Sequence, residues 1–382
     1  MHRLWPGTLV LALLGAIIGA AFLGLLSESP HLDPRALWAD LYLRRVVVFT
    51  VWQALLSTLL SLGLALPVAR ALARRQRFPG RTLLVRLLGL PLVVPTIVAV
   101  FGIVAIYGQS GLVNRVAAGL GFEPVQYLYG LGGILIAHVF FNLPLAVRLL
   151  LPAWQSVPGE SWRLAAQLGM SSRDILRLME WPMLRPLLPQ VATLVFMLCF
   201  TSFAVVLTLG GGPASTTIEV AIYQALRFDF DLGRATLLAL LQLICCALLV
   251  AVVQSMGRTH LVDPTEGRVQ PRPDLSGAPG RLFDFGCIAL VLVSTLLPLG
   301  AVVTSGLAGP LAEVLSERQL WSSAQLSFGI ALASSALAVS AGVGILISSR
   351  ELRINRHRIA LAEATEFCGS LILVIPPLVL GT

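Results

Sequence analysis

Eight stretches of this chain are each apolar enough, over enough length, to cross a bilayer, a ninth is cut off by the chain end, and that property narrows the possible folds more than any motif. A spanning helix needs about 20 mostly apolar residues, because lipid offers its backbone no hydrogen-bonding partners. Such runs fall near Leu9–Leu26, Val47–Ala69, Leu83–Tyr107, Leu131–Leu151, Val191–Leu209, Ala235–Met256, Phe283–Thr304, Ala324–Ile347 and Cys368–Thr382. Charged residues make up 12% of the sequence, against about a quarter in a water-soluble domain. The expected fold class is therefore all-α, a polytopic transmembrane helical bundle.

The formal charge of +8 would suit nucleic acid, but the arginines cluster in short segments between apolar runs, as the positive-inside rule expects. No basic patch interleaves with exposed aromatics, so no nucleic-acid partner is expected. Arg3, the group Arg70, Arg74, Arg75, Arg77 and Arg81, the group Arg258, Arg268, Arg272 and Arg281, and the group Arg350, Arg353, Arg356 and Arg358 fall on one side. The opposite side holds Glu123, Glu219, Asp229, Asp231, Glu313 and Glu317. This predicts a cytoplasmic N-terminus, with Arg44 and Arg45 as the exception that must snorkel. The N-terminal run is longer than a signal-peptide core and reads as a retained first helix. The five cysteines, Cys199, Cys245, Cys246, Cys287 and Cys368, lack CxxC spacing and read as small core-facing residues.

A Pro- and Gly-rich polar stretch over 257–281 reads as a linker between two membrane halves, 1–256 and 282–382. A weak repeat agrees: the order of small-residue helix, Arg-rich loop and Pro-containing helix over Gln53–Gly102 recurs over Ile330–Thr382. On this reading the second half is incomplete, ending before a counterpart of the charged segment described next.

That segment is SWRLAAQLGMSSRDILRLMEWP, Ser161–Pro182, within a predicted cytoplasmic loop at about 155–190. Leu164, Leu168, Ile175, Leu176 and Met179 recur at helical spacing. Gly169 suits a helix end, Ser171 or Ser172 a cap, and Asp174 a first helical turn. Pro182, Pro186 and Pro189 are expected to close the segment. Ala165, Ala166 and Gly169 are small enough to let another backbone approach. Composition leaves two readings open here, a partner-binding module and an interfacial amphipathic loop.

The segment resembles the signature loop of ABC-importer permeases, which runs Glu-Ala-Ala, three residues, Gly, nine residues, Ile, one residue, Leu-Pro. In this register Arg163, Leu164 and Ala165 stand at Glu-Ala-Ala, Gly169 at the Gly, Met179 at the Ile, Trp181 at the Leu and Pro182 at the Pro. Arg163 thus replaces the acid. More narrowly, Leu164–Met170, Glu180–Arg185, Phe196–Leu226 and Ala239–Cys246 resemble the two-half permeases of thiamine and thiamine-diphosphate importers, an architecture shared by ferric-iron permeases. The resemblance implies a type I importer permease of a bacterial inner membrane, moving thiamine and its phosphates. It implies a cytoplasmic ATP-binding-cassette ATPase, two copies expected, carrying ATP and magnesium and docking on this loop, and a periplasmic substrate-binding protein. It implies no cofactor on this chain.

Polar residues inside apolar runs are costly unless paired or facing a cavity. Gln53, His138, Asn142, Thr201, Ser202, Thr208 and Gln242 are such residues. The resembled fold lines its path with the fifth helix, so Asn142, Thr201, Ser202 and Thr208 are the candidate path residues. On the outer side, Thr216 and Glu219 fit a capping box. A short helix there, with Glu219, Tyr223, Asp229 and Asp231, is the candidate dock for the binding protein. The chain has no lysine and so no phosphate loop, and no metal-ligand cluster or catalytic constellation stands out. The expected role is a transport subunit rather than an enzyme. The rivals are a ferric-iron permease, a membrane enzyme and a passive channel.

Overall fold

The computed structural model describes residues 4–27, 39–255, 272–275 and 277–370. Most of the expected linker and the end of the ninth apolar run lie outside the described residues. Every regular element among those described is helical: α1 (Trp5–Ser27), α2 (Leu41–Arg74), α3 (Arg81–Leu87), α4 (Thr96–Tyr107), α5 (Leu112–Gly119), α6 (Leu131–Gln155), α7 (Gly159–Gln167), α8 (Ser172–Ile175), α9 (Trp181–Leu184), α10 (Leu188–Phe200), α11 (Ala204–Leu209), α12 (Ile218–Gln224), α13 (Leu232–Ser255), α14 (Ala278–Leu307), α15 (Leu311–Ser316), α16 (Arg318–Arg350) and α17 (Ile359–Ser370). Among them, seven helical stretches have the length and apolarity of a membrane span, or eight if the bent pair Ser172–Leu184 and Leu188–Phe200 counts as one span.

Three of the expected spans differ, each for a local reason. α2 runs on to Arg74, taking in Arg70 and Arg74, which the sequence suggested were loop residues. Their charges are neutralised by carboxylates from distant segments, and cations suit a helix C-terminus. The run Leu83–Tyr107 is broken into α3, a 3-10 turn at Leu90–Leu92 and α4, because Pro91 and Pro95 lack amide hydrogens and Pro95 biases Val94 away from helical geometry. The run Val191–Leu209 breaks at Thr201, whose hydroxyl donates back to the Met197 carbonyl at 2.9 Å. The helical run ending at Leu184 meets α10 at a bend of 62°, around Pro186 and Pro189.

The chain divides into two compact units, each assembled from non-contiguous segments. One comprises 41–220 and 249–304. Here α6 packs along α2, α10 packs on both, and α4 and α11 pack together beside α6. A core of Ala99, Val100, Ile103, Leu128, Ala137, Phe140, Val205 and Leu209 fills the centre. Gly102 of α4 lets the Pro298 carbonyl of α14 come so close that a β-carbon would collide with it. The other unit comprises 1–40, 221–248 and 305–382. In it α16 packs on α1 and α17, and the Gly7 amide donates to Ser348 Oγ at 2.9 Å. No disulfide joins any of the five cysteines; Cys199 and Cys246 are buried as expected, whereas Cys368 is exposed.

Candidate functional site

The charged segment is a tight helical hairpin in the first unit. α7 ends at Gln167, and Gly169 turns the chain at φ +61°, a conformation that costs a residue with a β-carbon about 1 kcal/mol or more. Ser171 and Asp174 form a capping box: Ser171 Oγ accepts from the Asp174 amide and Asp174 accepts from the Ser171 amide, each at 3.2 Å. The Ser171 hydroxyl and amide, bonded to the Asp174 carboxylate, hold it below its usual range, with Arg173 and Arg177 assisting. After α8 a π-helical turn, Leu176–Glu180, leads into α9. Pro182 does not close the segment, as the sequence suggested. It takes an early position in α9, where its missing amide is tolerated next to the widened π turn.

The hairpin has its own small core of Val157, Trp162, Ala165 and Ile175, with Met170 and Met179 against it. This reverses part of the expected facing. Ala165 is fully buried beneath the hairpin's own side chains, so it is closed to another backbone. Leu164 and Leu168 point outward, 55% and 66% exposed, as do Leu178 at 63% and Trp181 at 45%. Arg163, Ala166, Gly169 and Pro182 are exposed as well. The segment therefore leaves four large apolar side chains and the arginines Arg163, Arg173 and Arg177 exposed, on a scaffold braced from within.

The bracing is ionic. Glu180 is wholly buried; its Oε2 lies 2.7 Å from Arg70 Nε of α2, and its Oε1 accepts from Arg272 Nη2. Arg70 also donates to the Ser172 carbonyl at 3.0 Å. Asp274, in the turn Pro273–Leu275, lies 3.1 Å from Arg272 Nε and 3.4 Å from Arg74 Nε, and its carbonyl accepts from Arg74 Nη2 at 2.5 Å. Asp284 of α14 pairs with Arg74 at 3.4 Å and Arg75 at 2.8 Å. The Arg272 guanidinium stacks 4.2 Å from the Trp162 ring centre. Burial by itself would raise the Asp274 carboxyl, yet the hydrogen bond and charge of Arg272, with Arg74 and Arg70, hold it below its usual range. Positive-inside reasoning registers these arginines only as a charge excess and misses Glu180, Asp274 and Asp284. Of the three, only Asp284 stands at the edge of an apolar run in the sequence.

Deeper along α2, a polar cluster joins three helices. Ser57 Oγ shares a hydrogen bond with His138 Nδ1 at 2.8 Å, Gln53 Nε2 donates to the Cys199 carbonyl at 2.9 Å, and Asn142 Nδ2 donates to Cys199 Sγ at 3.2 Å. Asn142 is thus buried between helices. Thr201 and Ser202 are half-buried at the α10–α11 break, and Thr208 is exposed with its hydroxyl donating to the Ala204 carbonyl at 2.7 Å. A cavity of about 240 Å³ lies nearby, lined by Leu60, Leu64, Tyr107, Phe140, Ser294 and Pro298 among others. None of the four candidate path residues borders that cavity.

At the outer loop, the Ile218 amide donates to Thr50 Oγ1 of α2 at 2.9 Å, and the Thr216 hydroxyl donates to the Gly212 carbonyl at 3.4 Å. Glu219 is buried and is no part of a surface rim. Tyr223 packs edge-on to Phe228, Asp229 is exposed, and Asp231 accepts from the Arg234 amide at 2.9 Å at the start of α13.

The family model for the binding-protein-dependent transport system inner membrane component matches residues 61–259, which include the hairpin and most of its ionic bracing. The chain belongs to this family. It is the permease component of an importer and not the ATPase, which, with the binding protein, is a separate partner of such a system. The permease is similar to the thiamine transport system permease protein ThiP of Escherichia coli K12, at 48% identity over 99% of this chain and 70% of that one. The protein of the same description from Brucella abortus is 46% identical, covering 98% and 68%. That from Haemophilus influenzae is 36% identical, covering 98% and 69%. Among solved structures, the permease resembles a chain of a bacterial ABC transporter involved in import of the acidic polysaccharide alginate. The TM-score is 0.53 at 17% identity, over 64% of this chain and 88% of that one. That likeness is one of fold.

Proposed function

We propose that this permease carries thiamine and thiamine diphosphate across a bacterial inner membrane, driven by a cytoplasmic ATPase that docks on the hairpin Arg163–Pro182. The substrate reading rests on relatives described as thiamine permeases at 36–48% identity over nearly the whole chain. The docking reading rests on one observation above all, the exposure of Leu164, Leu168, Leu178 and Trp181 on a hairpin whose own core is already filled. Several large apolar side chains left exposed among charged ones on one small element mark a protein-binding surface. Arg163, next to Leu164 in the chain, stands where the family pattern carries an acid, so the matching partner surface is acidic there.

In this reading the N-terminus and the Arg-rich helix ends are cytoplasmic, and two ATPase copies hold ATP and magnesium. A periplasmic binding protein delivers substrate to the opposite face, with Tyr223, Asp229 and Asp231 near the contact. The halves 1–256 and 282–382 flank the path, and Asn142, Thr201, Ser202 and Thr208 lie along it. The test is ATP-dependent uptake by the reconstituted transporter with labelled thiamine, challenged by thiamine diphosphate and by ferric iron. Competition by the thiamine compounds alone supports the assignment; competition by iron alone overturns it.

A further inference from the structure

We infer that Arg272 and Asp274 act as positioning residues that lock the coupling hairpin to α2, so that displacement of the hairpin is delivered to α2 through Glu180. The inference rests on the docking reading above and adds the path by which the docking site reaches the membrane.

Three attachments converge on this short turn. The two oxygens of Glu180 are divided between Arg70 of α2 and Arg272 of the turn. Asp274 then closes a ring by engaging Arg272 on one side and Arg74 of α2 on the other. The Arg272 guanidinium also covers Trp162, a core residue of the hairpin. The hairpin is thereby held at α7, through Trp162, and at the π turn, through Glu180. Arg70 grips the start of α8 as well, at the Ser172 carbonyl.

The chemistry of the contact decides what it transmits. Apolar side chains can slide past one another at small cost. A buried carboxylate between two guanidiniums cannot, because separating it leaves unpaired charge away from water. The hairpin and the last turns of α2 must therefore move together. α2 is a single helix of 34 residues, and from Arg70 to Gln53 it spans about 25 Å at 1.5 Å per residue. Its middle carries Gln53 and Ser57, which bond to α10 and α6. A shift at the hairpin thus reaches the interhelical contacts of the membrane region through one continuous helix, which contains Pro67. Arg70 makes that connection directly, and two residues of the turn between α13 and α14 reinforce it.

The experiment uses the full transporter in proteoliposomes, with Arg272→Ala, Asp274→Asn and the conservative Arg272→Lys. The expected result is that the ATPase still co-purifies and still hydrolyses ATP, while uptake per ATP falls about tenfold in Arg272→Ala and Asp274→Asn, the size of an ordinary coupling between sites. Arg272→Lys recovers most of that loss. Unchanged uptake per ATP overturns the inference, and so does loss of ATPase association in all three variants, which would make the turn a folding element only. A second measurement stands apart from the docking reading: amide hydrogen exchange on the isolated permease. Arg272→Ala is expected to speed exchange about tenfold in both the hairpin and the end of α2. Faster exchange confined to the turn overturns the inference even if the ATPase docks as proposed, whereas failure of the wild-type permease to hold the ATPase refutes the docking reading alone.

Discussion

Replacing Glu180 by Gln removes the carboxylate on which buried Arg272 and half-buried Arg70 converge, and its cost can be worked from the geometry. The cluster joins four arginines, Arg70, Arg74, Arg75 and Arg272, to three carboxylates, Glu180, Asp274 and Asp284. The substitution raises its net charge from one positive to two. Removing one partner of a buried pair costs about 3–5 kcal/mol. Here Arg272 keeps Asp274 and Trp162, Arg70 keeps the Ser172 carbonyl and is a fifth exposed, and Gln retains one acceptor oxygen. These leave about 2–3 kcal/mol. In detergent, the permease should melt several degrees lower, and trypsin should cut faster at the exposed Arg163, Arg173 and Arg177 as the hairpin loosens. In a double-mutant cycle, Arg272→Leu and Glu180→Gln should couple by more than about 1 kcal/mol. Additive costs, or a Glu180→Gln protein with unchanged melting and unchanged cleavage, would refute the claim that Glu180 holds the hairpin.

Leu168→Asp alters a side chain two-thirds exposed on the hairpin; melting should stay within about 0.5 kcal/mol of the parent, while ATPase co-purification drops, and full retention of the ATPase would contradict the docking surface. Gly169→Val meets open space but a left-handed backbone, so it should cost about 1–2 kcal/mol, read as faster trypsin cleavage within the hairpin. The folded Asp274 carboxyl lies below the usual value of 3.8. Its contribution is therefore fully present above that value and is lost as pH falls through its folded value. Cleavage of the hairpin should be flat from about pH 8 to pH 5 and rise only in stronger acid; a transition near neutrality would contradict the assignment. Asn114 donates to the Gly108 and Val125 carbonyls and accepts from the Val125 amide. Asn114→Leu removes three hydrogen bonds, but Val125 is exposed and the Gly108 carbonyl keeps the Gly111 amide, so it should cost about 1–2 kcal/mol, measured as a lower melting point.

What sequence reasoning reaches here is what is decided locally. Apolar run length foretells the spans, and Gly169, Ser171 and Asp174 announce the hairpin turn because a cap depends on residues three apart. The facing of Leu164 and Leu168 is not local. Helical periodicity finds an apolar stripe but does not tell a stripe bound for the hairpin's own core from one left for a partner, and Ala165 and Ile175 take the inner position. Broken spans follow from Pro91 and Pro95, whose meaning the hydropathy sum averages away. The ionic bracing is hidden most completely, since Glu180 meets partners 110 residues earlier and 92 residues later in the chain, and Arg74 reaches Asp284 across 210. Such pairs exist only once the helices are packed.

The central claim is that the hairpin couples a partner's ATP hydrolysis to thiamine movement. Its most direct test is uptake of labelled thiamine into proteoliposomes holding the permease, its ATPase and its binding protein, with Leu168→Asp as the paired control. The account predicts accumulation that requires ATP and the binding protein and is lost in Leu168→Asp. Accumulation without ATP, or undiminished in Leu168→Asp, would contradict it.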